Sequence, residues 1–129
     1  MNPLPSAIVL FAHGSRDPLW RLPIDAVASQ MLRESPDTAV RCAFLELTTP
    51  DLDSTVEELV QAGHRFVRIV PMFLGVGRHA REDLPRLVLA LQQRHPALRL
   101  ELQAPIGEQP ELTLCMARLA LAQAPSDKT

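Results

Sequence analysis

Four short apolar stretches recur along the chain, and each is followed by a segment with helical spacing of apolar residues. Residues 7–12 read Ala-Ile-Val-Leu-Phe-Ala without a polar interruption, which is typical of a strand buried on both faces of a parallel sheet. Further strands are predicted over residues 39–46, 65–73 and 98–103. The last alternates leucine with polar residues, so we expect it at an edge of the sheet with one face in water.

The first two helices follow the first two strands. One is predicted over about residues 19–34, where Pro23 favours a start near Leu22. The next is predicted to begin within Thr48–Asp51, which supplies a capping residue, a proline and an acid. It is expected to end near Ala62, because a glycine follows there.

The last two helices are separated from their strands by loops. A loop over residues 75–81 is expected to lead into a helix with Pro85 in its first turn and His95 at its end. A final helix is marked by Leu112 through Leu121. The resulting order, βαβαβαβα, predicts an α/β domain in three layers, with a parallel sheet between helices on both faces.

Three reactive side chains stand at or just after predicted strand ends: His13, Glu46 and His79. In open parallel sheets, ligands bind outside the carboxyl ends of the strands, so we expect these residues on one rim. Two neutral imidazoles can bind a first-row divalent metal or act as bases, and a carboxylate can assist either role. A closed structural site needs four ligands, so an open metal site or a proton-transfer site fits better.

Arginines flank these histidines. The chain contains twelve arginines and a single lysine, Lys128, and a guanidinium binds carboxylates in a fork that an ammonium cannot form. Arg16, Arg78 and Arg81 are the candidates for gripping acidic groups of a ligand. A bias in genome composition explains most of the other arginines equally well.

Composition narrows the class of protein. A length of 129 residues with 47% hydrophobic residues predicts one domain, residues 1–124, with a flexible tail over 125–129. The net charge of -2 gives no case for nucleic acid binding. Cys42 and Cys115 have no CxxC partner, so neither a disulfide scaffold nor a cysteine metal site is predicted.

Targeting and nucleotide signals are weak. Residues 1–6 do not combine positive charge with a following apolar run, and no apolar stretch reaches the roughly 18–20 residues that span a bilayer. We therefore expect a cytoplasmic protein without membrane association.

Gly75-Val76-Gly77 lacks the third glycine of a dinucleotide fingerprint and follows the third strand instead of the first. These glycines are expected to turn the chain so that His79 faces the rim.

The motifs at the four strand ends, taken together, resemble the class II chelatases, and among them the short CbiX-type sirohydrochlorin chelatases and the related SirB enzymes. The resemblance covers about residues 7–121 and is carried by Ala12-His13-Gly14-Ser15-Arg16, Phe44-Leu45-Glu46 with Pro50, Pro71-Met72-Phe73-Leu74 with Gly77, His79 and Asp83, and Pro105-Ile106-Gly107 with Pro110.

The resemblance implies a four-stranded parallel sheet in the order 2-1-3-4, with His13 and His79 flanking the point where strand order reverses. It also implies insertion of a divalent metal, Co²⁺ or Fe²⁺, into the tetrapyrrole sirohydrochlorin, with release of two protons and no prosthetic group. His13 and His79 are then the metal-binding and proton-accepting pair, and Glu46 assists. The expected substrate contacts are Arg16, Arg78, Arg81, Ser15 and Gly77.

The short members of this family are homodimers with the active cleft between subunits, so a homodimer is expected. Two other functions stay open from the residues alone: a non-catalytic tetrapyrrole or metal carrier using the same rim, and a phosphatase with His13 as nucleophile beside Arg16. The phosphatase hypothesis is weakened because no arginine precedes the histidine; Ala12 stands there instead.

Asp83 has two interpretations, a partner of His79 or a favourable charge in a helix's first turn. The residues do not choose between cobalt, iron and nickel.

Overall fold

A four-stranded parallel sheet organises residues 3–122, the part of the chain that the computed structural model describes. Its strands are β1 (Ala7–Ala12), β2 (Ala39–Phe44), β3 (Phe66–Pro71) and β4 (Arg99–Leu102). They lie in the order β2-β1-β3-β4, which confirms the order implied by the resemblance. The tail expected over residues 125–129 lies outside the described residues.

A helix follows each strand, as the apolar periodicity predicts. The helices are α1 (Leu22–Glu34), α2 (Leu52–Gln61), α3 (Arg78–Arg94) and α4 (Pro110–Leu121), with a short 3₁₀ helix at Ile106–Glu108 before the last. The α/β class is therefore confirmed. None of the helices within residues 3–122 combines the length and the apolar character that crossing a membrane requires.

The hydrophobic core lies on the face of the sheet that α2 and α3 cover. Alternate residues of β1 point to this face, because side chains of a strand alternate between its two sides. Ala7, Val9 and Phe11 are buried there against α2 and α3. The fully buried helix residues that join them include Val56, Leu59 and Leu91.

The opposite face of the sheet is covered more thinly. Neither α1 nor α4 has a buried residue. Between them runs an apolar groove of about 670 Å³, whose floor includes Ile8, Leu10 and Val70. The outer surface of α4 also exposes apolar side chains, Leu119 at 71% and Leu121 at 81%. The two faces of this domain are therefore unequal: one packs a core and the other leaves apolar surface in contact with water.

The start of α2 differs from the sequence-based expectation, whereas the start of α1 agrees with it. Helix α2 is capped by Asp51, whose side chain accepts a hydrogen bond from the Ser54 backbone N–H at 2.8 Å. Thr48 is not the cap, because its hydroxyl contacts the loop after β1 instead. Helix α1 begins at Leu22, with Pro23 within its first turn, as the position of that proline favours.

Helix α3 begins earlier than expected, at Arg78 instead of after Arg81. Pro85 consequently lies inside the helix and not in its first turn. A proline there removes one backbone hydrogen bond, and the burial of Leu84 and Leu91 in the core opposes that loss. The early start brings His79 onto the first turn of a helix instead of leaving it in a loop.

Candidate functional site

The backbone of the first two loops brings His13 and Glu46 together. Strands β1 and β2 pair in register up to Ala12 and Phe44. The pairing continues beyond the strands, because the Leu45 N–H donates to the Ala12 carbonyl at 2.9 Å and the Glu46 N–H donates to the His13 carbonyl at 3.0 Å. The positions of these two candidate residues are thus fixed by main-chain hydrogen bonds.

Gly14 makes this close approach of the two loops possible. Its φ is +101°, and a Cβ at this position would lie 1.7 Å from the Glu46 carbonyl oxygen. The loops are tied a second time by Thr48, whose hydroxyl accepts from the Ser15 N–H at 3.0 Å and donates to the Ser15 carbonyl at 2.8 Å. Glycine is therefore required after His13 for both conformational and steric reasons.

His79 reaches the same region from a helix. It is the second residue of α3, which starts after Gly77 in an extended conformation with φ −67°. A Cβ on Gly75 or on Gly77 would meet nothing within 4 Å, and neither has a positive φ. Contrary to the expectation that these glycines turn the chain, neither position shows a steric or positive-φ requirement for glycine.

An open pocket of about 300 Å³ collects the three predicted catalytic residues. His13, Glu46 and His79 all line it, at the carboxyl edge of the sheet where β1 and β3 are neighbours. The His13 ring lies against Phe73, with ring centroids 4.4 Å apart. The pocket is completed by Gly77, Arg78, Ala80, Asp83 and a set of apolar side chains: Phe11, Leu45, Phe73, Leu84 and Leu87.

The predicted substrate contacts divide into two groups. Gly77 and Arg78 line the pocket. Arg78 is mostly exposed at the pocket mouth, where its guanidinium pairs with the Glu82 carboxylate at 3.4 Å. Arg16, Arg81 and Ser15 are outside the lining, and the Ser15 hydroxyl accepts a hydrogen bond from the Asp17 N–H at 3.0 Å.

The donor set suits a metal that is held loosely. Within residues 3–122, no three His, Cys, Asp or Glu side chains lie close enough together to form a ready-made metal site. Two imidazoles and one carboxylate lining an open pocket can still bind a divalent ion weakly and accept protons. Such an arrangement fits a metal that is passed on better than one that is retained.

The sequence did not single out several residues that shape this site. Phe73 supports the His13 ring, and Thr48 ties the two loops. Phe73 was named only within the motif Pro71-Met72-Phe73-Leu74 after the third strand, and Thr48 only within the segment expected to start the second helix. No local pattern marks the role of Thr48, because its hydroxyl bonds to Ser15, which is 33 residues away in sequence.

The chain is similar to proteins of a known family. The model of the CbiX family matches residues 7–121. A CbiX protein of cobalamin (vitamin B12) biosynthesis from Marinobacter aquaeolei VT8 superposes with a TM-score of 0.78 at 32% identity, covering 88% of this chain and 92% of that one.

Two chelatases are also similar. The sirohydrochlorin chelatase SirB from Bacillus subtilis subspecies spizizenii, solved in complex with cobalt, has a TM-score of 0.73 at 26% identity, with coverage of 88% of this chain and 49% of SirB. The sirohydrochlorin cobaltochelatase of Methanopyrus kandleri is 30% identical over 82 residues, 64% of this chain and 57% of that protein. The matched part of this chain thus spans under two thirds of that curated relative's length.

The family match covers most of the chain, including all four strands and the segments that carry His13, Glu46 and His79. The likeness to the Marinobacter protein extends over nearly the full length of both chains. The chain therefore belongs to the CbiX family.

Proposed function

We propose that this protein is a sirohydrochlorin chelatase, which inserts a divalent metal into the tetrapyrrole for cobalamin or sirohaem biosynthesis. The observation that carries the proposal is the shared pocket of His13, Glu46 and His79 at the carboxyl edge of the sheet. The names of the similar chelatases support the same reaction class. Co²⁺ is the metal we favour, because cobalt occurs in both of those descriptions, and Fe²⁺ is the alternative.

The chemistry requires one ion to enter and two protons to leave. The two pyrrole N–H bonds break, the metal takes the place of the two protons, and overall charge is conserved. His13 and His79 hold the incoming ion through imidazole nitrogens. Glu46 accepts a proton or steadies the ion, as a carboxylate beside a reacting N–H can do. The metal is a substrate here, and no prosthetic group is needed.

Substrate carboxylates would be bound by arginine. Arg78 lines the pocket mouth, whereas Arg16 and Arg81 are exposed beyond the lining. We assign Arg78 the main contact and give the other two a role around the rim, together with Ser15 and Gly77. Apolar side chains in the pocket, such as Leu45 and Phe73, would pack against the faces of the macrocycle.

The pocket is small for such a substrate. Its 300 Å³ is at the low end of the roughly 300–1,000 Å³ that pockets for drug-sized ligands occupy. A tetrapyrrole bound there would extend beyond the edge of the domain. We therefore propose a homodimer in which a second subunit supplies another wall of the substrate-binding pocket.

We also propose that residues 1–124 act as one chelatase domain in the cytoplasm.

We assign the subunit contact to the surface formed by α1 and α4. On α4, Glu111, Leu114, Arg118 and Leu121 lie on one stripe, because they are three or four residues apart. If two α4 helices pack antiparallel about a two-fold axis near Leu114, Glu111 of each subunit meets Arg118 of the other. Both α1 and α4 follow carboxyl ends of strands, so a partner bound to them can reach over the edge that holds the pocket.

An anaerobic insertion assay tests the reaction. Protein, sirohydrochlorin and Co²⁺ or Fe²⁺ are mixed, and the loss of the metal-free absorption is followed over time. We expect His13→Ala and His79→Ala each to lower the rate by at least about a hundredfold, within the range that acid–base groups contribute. His64→Ala is the matched control, since His64 lies beside Ser6 at the opposite edge of the sheet.

Two outcomes would contradict the proposal. If both pocket variants keep the wild-type rate, the assigned residues are wrong. If the wild-type protein binds sirohydrochlorin stoichiometrically without accelerating insertion, the protein is a carrier and not a chelatase.

A further inference from the structure

One more acidic side chain belongs to the pocket. Asp83 lies one helical turn after His79 on α3, and both residues line the cavity, followed on the same face by Leu87. Residues four apart on a helix have Cβ atoms about 5–6 Å apart. A carboxylate at position 83 is therefore within reach of the imidazole at position 79.

Both side chains are available to each other. The Asp83 carboxylate lies 3.8 Å from the Arg86 guanidinium, which is longer than a hydrogen bond. Within residues 3–122, the His79 ring takes part in none of the side-chain hydrogen bonds or ion pairs. By contrast, His13 already rests against Phe73. The orientation of the His79 ring is thus less constrained than that of the His13 ring.

We propose that Asp83 is a positioning residue for His79. Its carboxylate accepts a hydrogen bond from one imidazole N–H and leaves the other ring nitrogen directed at the incoming metal. Carboxylate partners of this kind fix the tautomer and the orientation of metal-binding histidines and raise their basicity. The inference rests on the proposed role of His79 in holding the metal substrate.

The chain offers a matched control next to Asp83. Glu82 is in the same helical turn and is similarly exposed, but it pairs with Arg78 and does not line the pocket. Asp83→Asn and Glu82→Gln each remove one negative charge at nearly the same distance from the start of α3. Any effect of helix charge on stability is therefore shared by the two variants.

The experiment measures Co²⁺ affinity of the tetrapyrrole-free protein by anaerobic titration. We expect Asp83→Asn to weaken Co²⁺ binding about 10- to 100-fold, Glu82→Gln to stay within about twofold, and Asp83→Glu to recover much of the loss. In a background of His79→Ala, Asp83→Asn should cause no further loss, because the two residues act as one unit. In the insertion assay, Asp83→Asn should raise KM for the metal more than it lowers kcat.

The outcomes separate the two proposals. If Asp83→Asn and Glu82→Gln behave alike, or if Asp83→Asn weakens binding equally without His79, the positioning role is overturned. If the wild-type protein binds Co²⁺ with the expected variant pattern but inserts none, only the proposed function fails. If the wild-type protein binds no Co²⁺, both are contradicted.

Discussion

The Glu46 backbone N–H donates a hydrogen bond to the His13 carbonyl oxygen at 3.0 Å. This bond joins the loops after two neighbouring strands just beyond the end of the sheet. It holds two of the three candidate catalytic residues on one continuous stretch of paired backbone. His79 arrives separately, on the first turn of α3. Backbone hydrogen bonds therefore fix the positions of His13 and Glu46, whereas His79 lies on a different element that these bonds do not hold.

Replacing Gly14 tests the close backbone contact between the loops that carry His13 and Glu46. Gly14→Ala adds a Cβ that would overlap the Glu46 carbonyl oxygen, at a residue with φ +101°. We expect it to lower the free energy of unfolding by about 1–3 kcal/mol more than the control, and to weaken Co²⁺ binding. The control is Gly63→Ala, which has φ +97° but open space around it, so it carries only the backbone strain of about 1–2 kcal/mol.

Denaturant unfolding of both variants, with Co²⁺ titration of the folded proteins, makes the comparison. Equal losses of stability in the two variants would show that contact with Glu46 does not matter.

A charge on α4 tests the proposed homodimer. Leu114 is 51% exposed on the α4 stripe, and Leu89 is 58% exposed on α3. Leu114→Glu should convert a dimer to a monomer, because burying an unpaired carboxylate in an apolar contact is unfavourable. Leu89→Glu should leave the dimer intact. Light scattering coupled to gel filtration reads the molar mass, and a wild-type protein of monomer mass would rule out the dimer.

The cap of α2 gives a prediction for stability against pH. Hydrogen bonding from the Ser54 backbone lowers the pKa of the Asp51 carboxyl. A folded-state pKa below the unfolded value of about 3.9 stabilises the fold at pH above that value, and the contribution is lost as pH falls through the folded pKa. Asp51→Ala should therefore cost about 1 kcal/mol at pH 7 and less near pH 3.

Urea unfolding at the two pH values checks this expectation. Asp37→Ala removes an exposed acid from a turn and should change stability by less than about 0.5 kcal/mol. A loss for Asp51→Ala that does not shrink at low pH would contradict the assigned cause.

The two cysteines should differ in reactivity. Burial raises the pKa of the Cys42 thiol, with the negative charge of Asp25 adding to the effect, whereas Cys115 is exposed on α4. A raised pKa lowers the fraction of reactive thiolate at pH 8. In the monomeric variant Leu114→Glu, whose α4 is free of the proposed subunit contact, a colorimetric disulfide reagent should thus modify Cys115 several-fold faster than Cys42. Cys115→Ser should remove the fast phase, and a fast phase that survives in this variant would refute the assignment.

The apolar pattern by itself determined the elements. Strand β1 was predicted over residues 7–12 and forms at Ala7–Ala12, because a strand buried on both faces leaves no room for polar residues. The end of α2 before Gly63 also followed from the sequence, since a residue with φ +97° stops a helix. A histidine directly after β1, an acid after β2 and a second histidine after β3, at the start of α3, predicted the candidate site, because parallel strands end at one edge of the sheet.

Tertiary structure decided the features that depend on neighbours distant in sequence. Local signals favoured a late start for α3, but packing of Leu84 and Leu91 into the core accompanies an early one, with Pro85 inside the helix. Thr48 lies in the segment that local signals favoured as the start of α2, yet its hydroxyl bonds to Ser15 across 33 residues.

The fold also decided at which position the backbone requires a glycine. Gly75 and Gly77 stand beside His79 in sequence, but nothing lies near them, whereas Gly14 meets the Glu46 carbonyl. A steric requirement depends on what another segment brings to within a few ångströms. The sequence could therefore name the catalytic candidates, but only the folded chain showed what holds each of them in position.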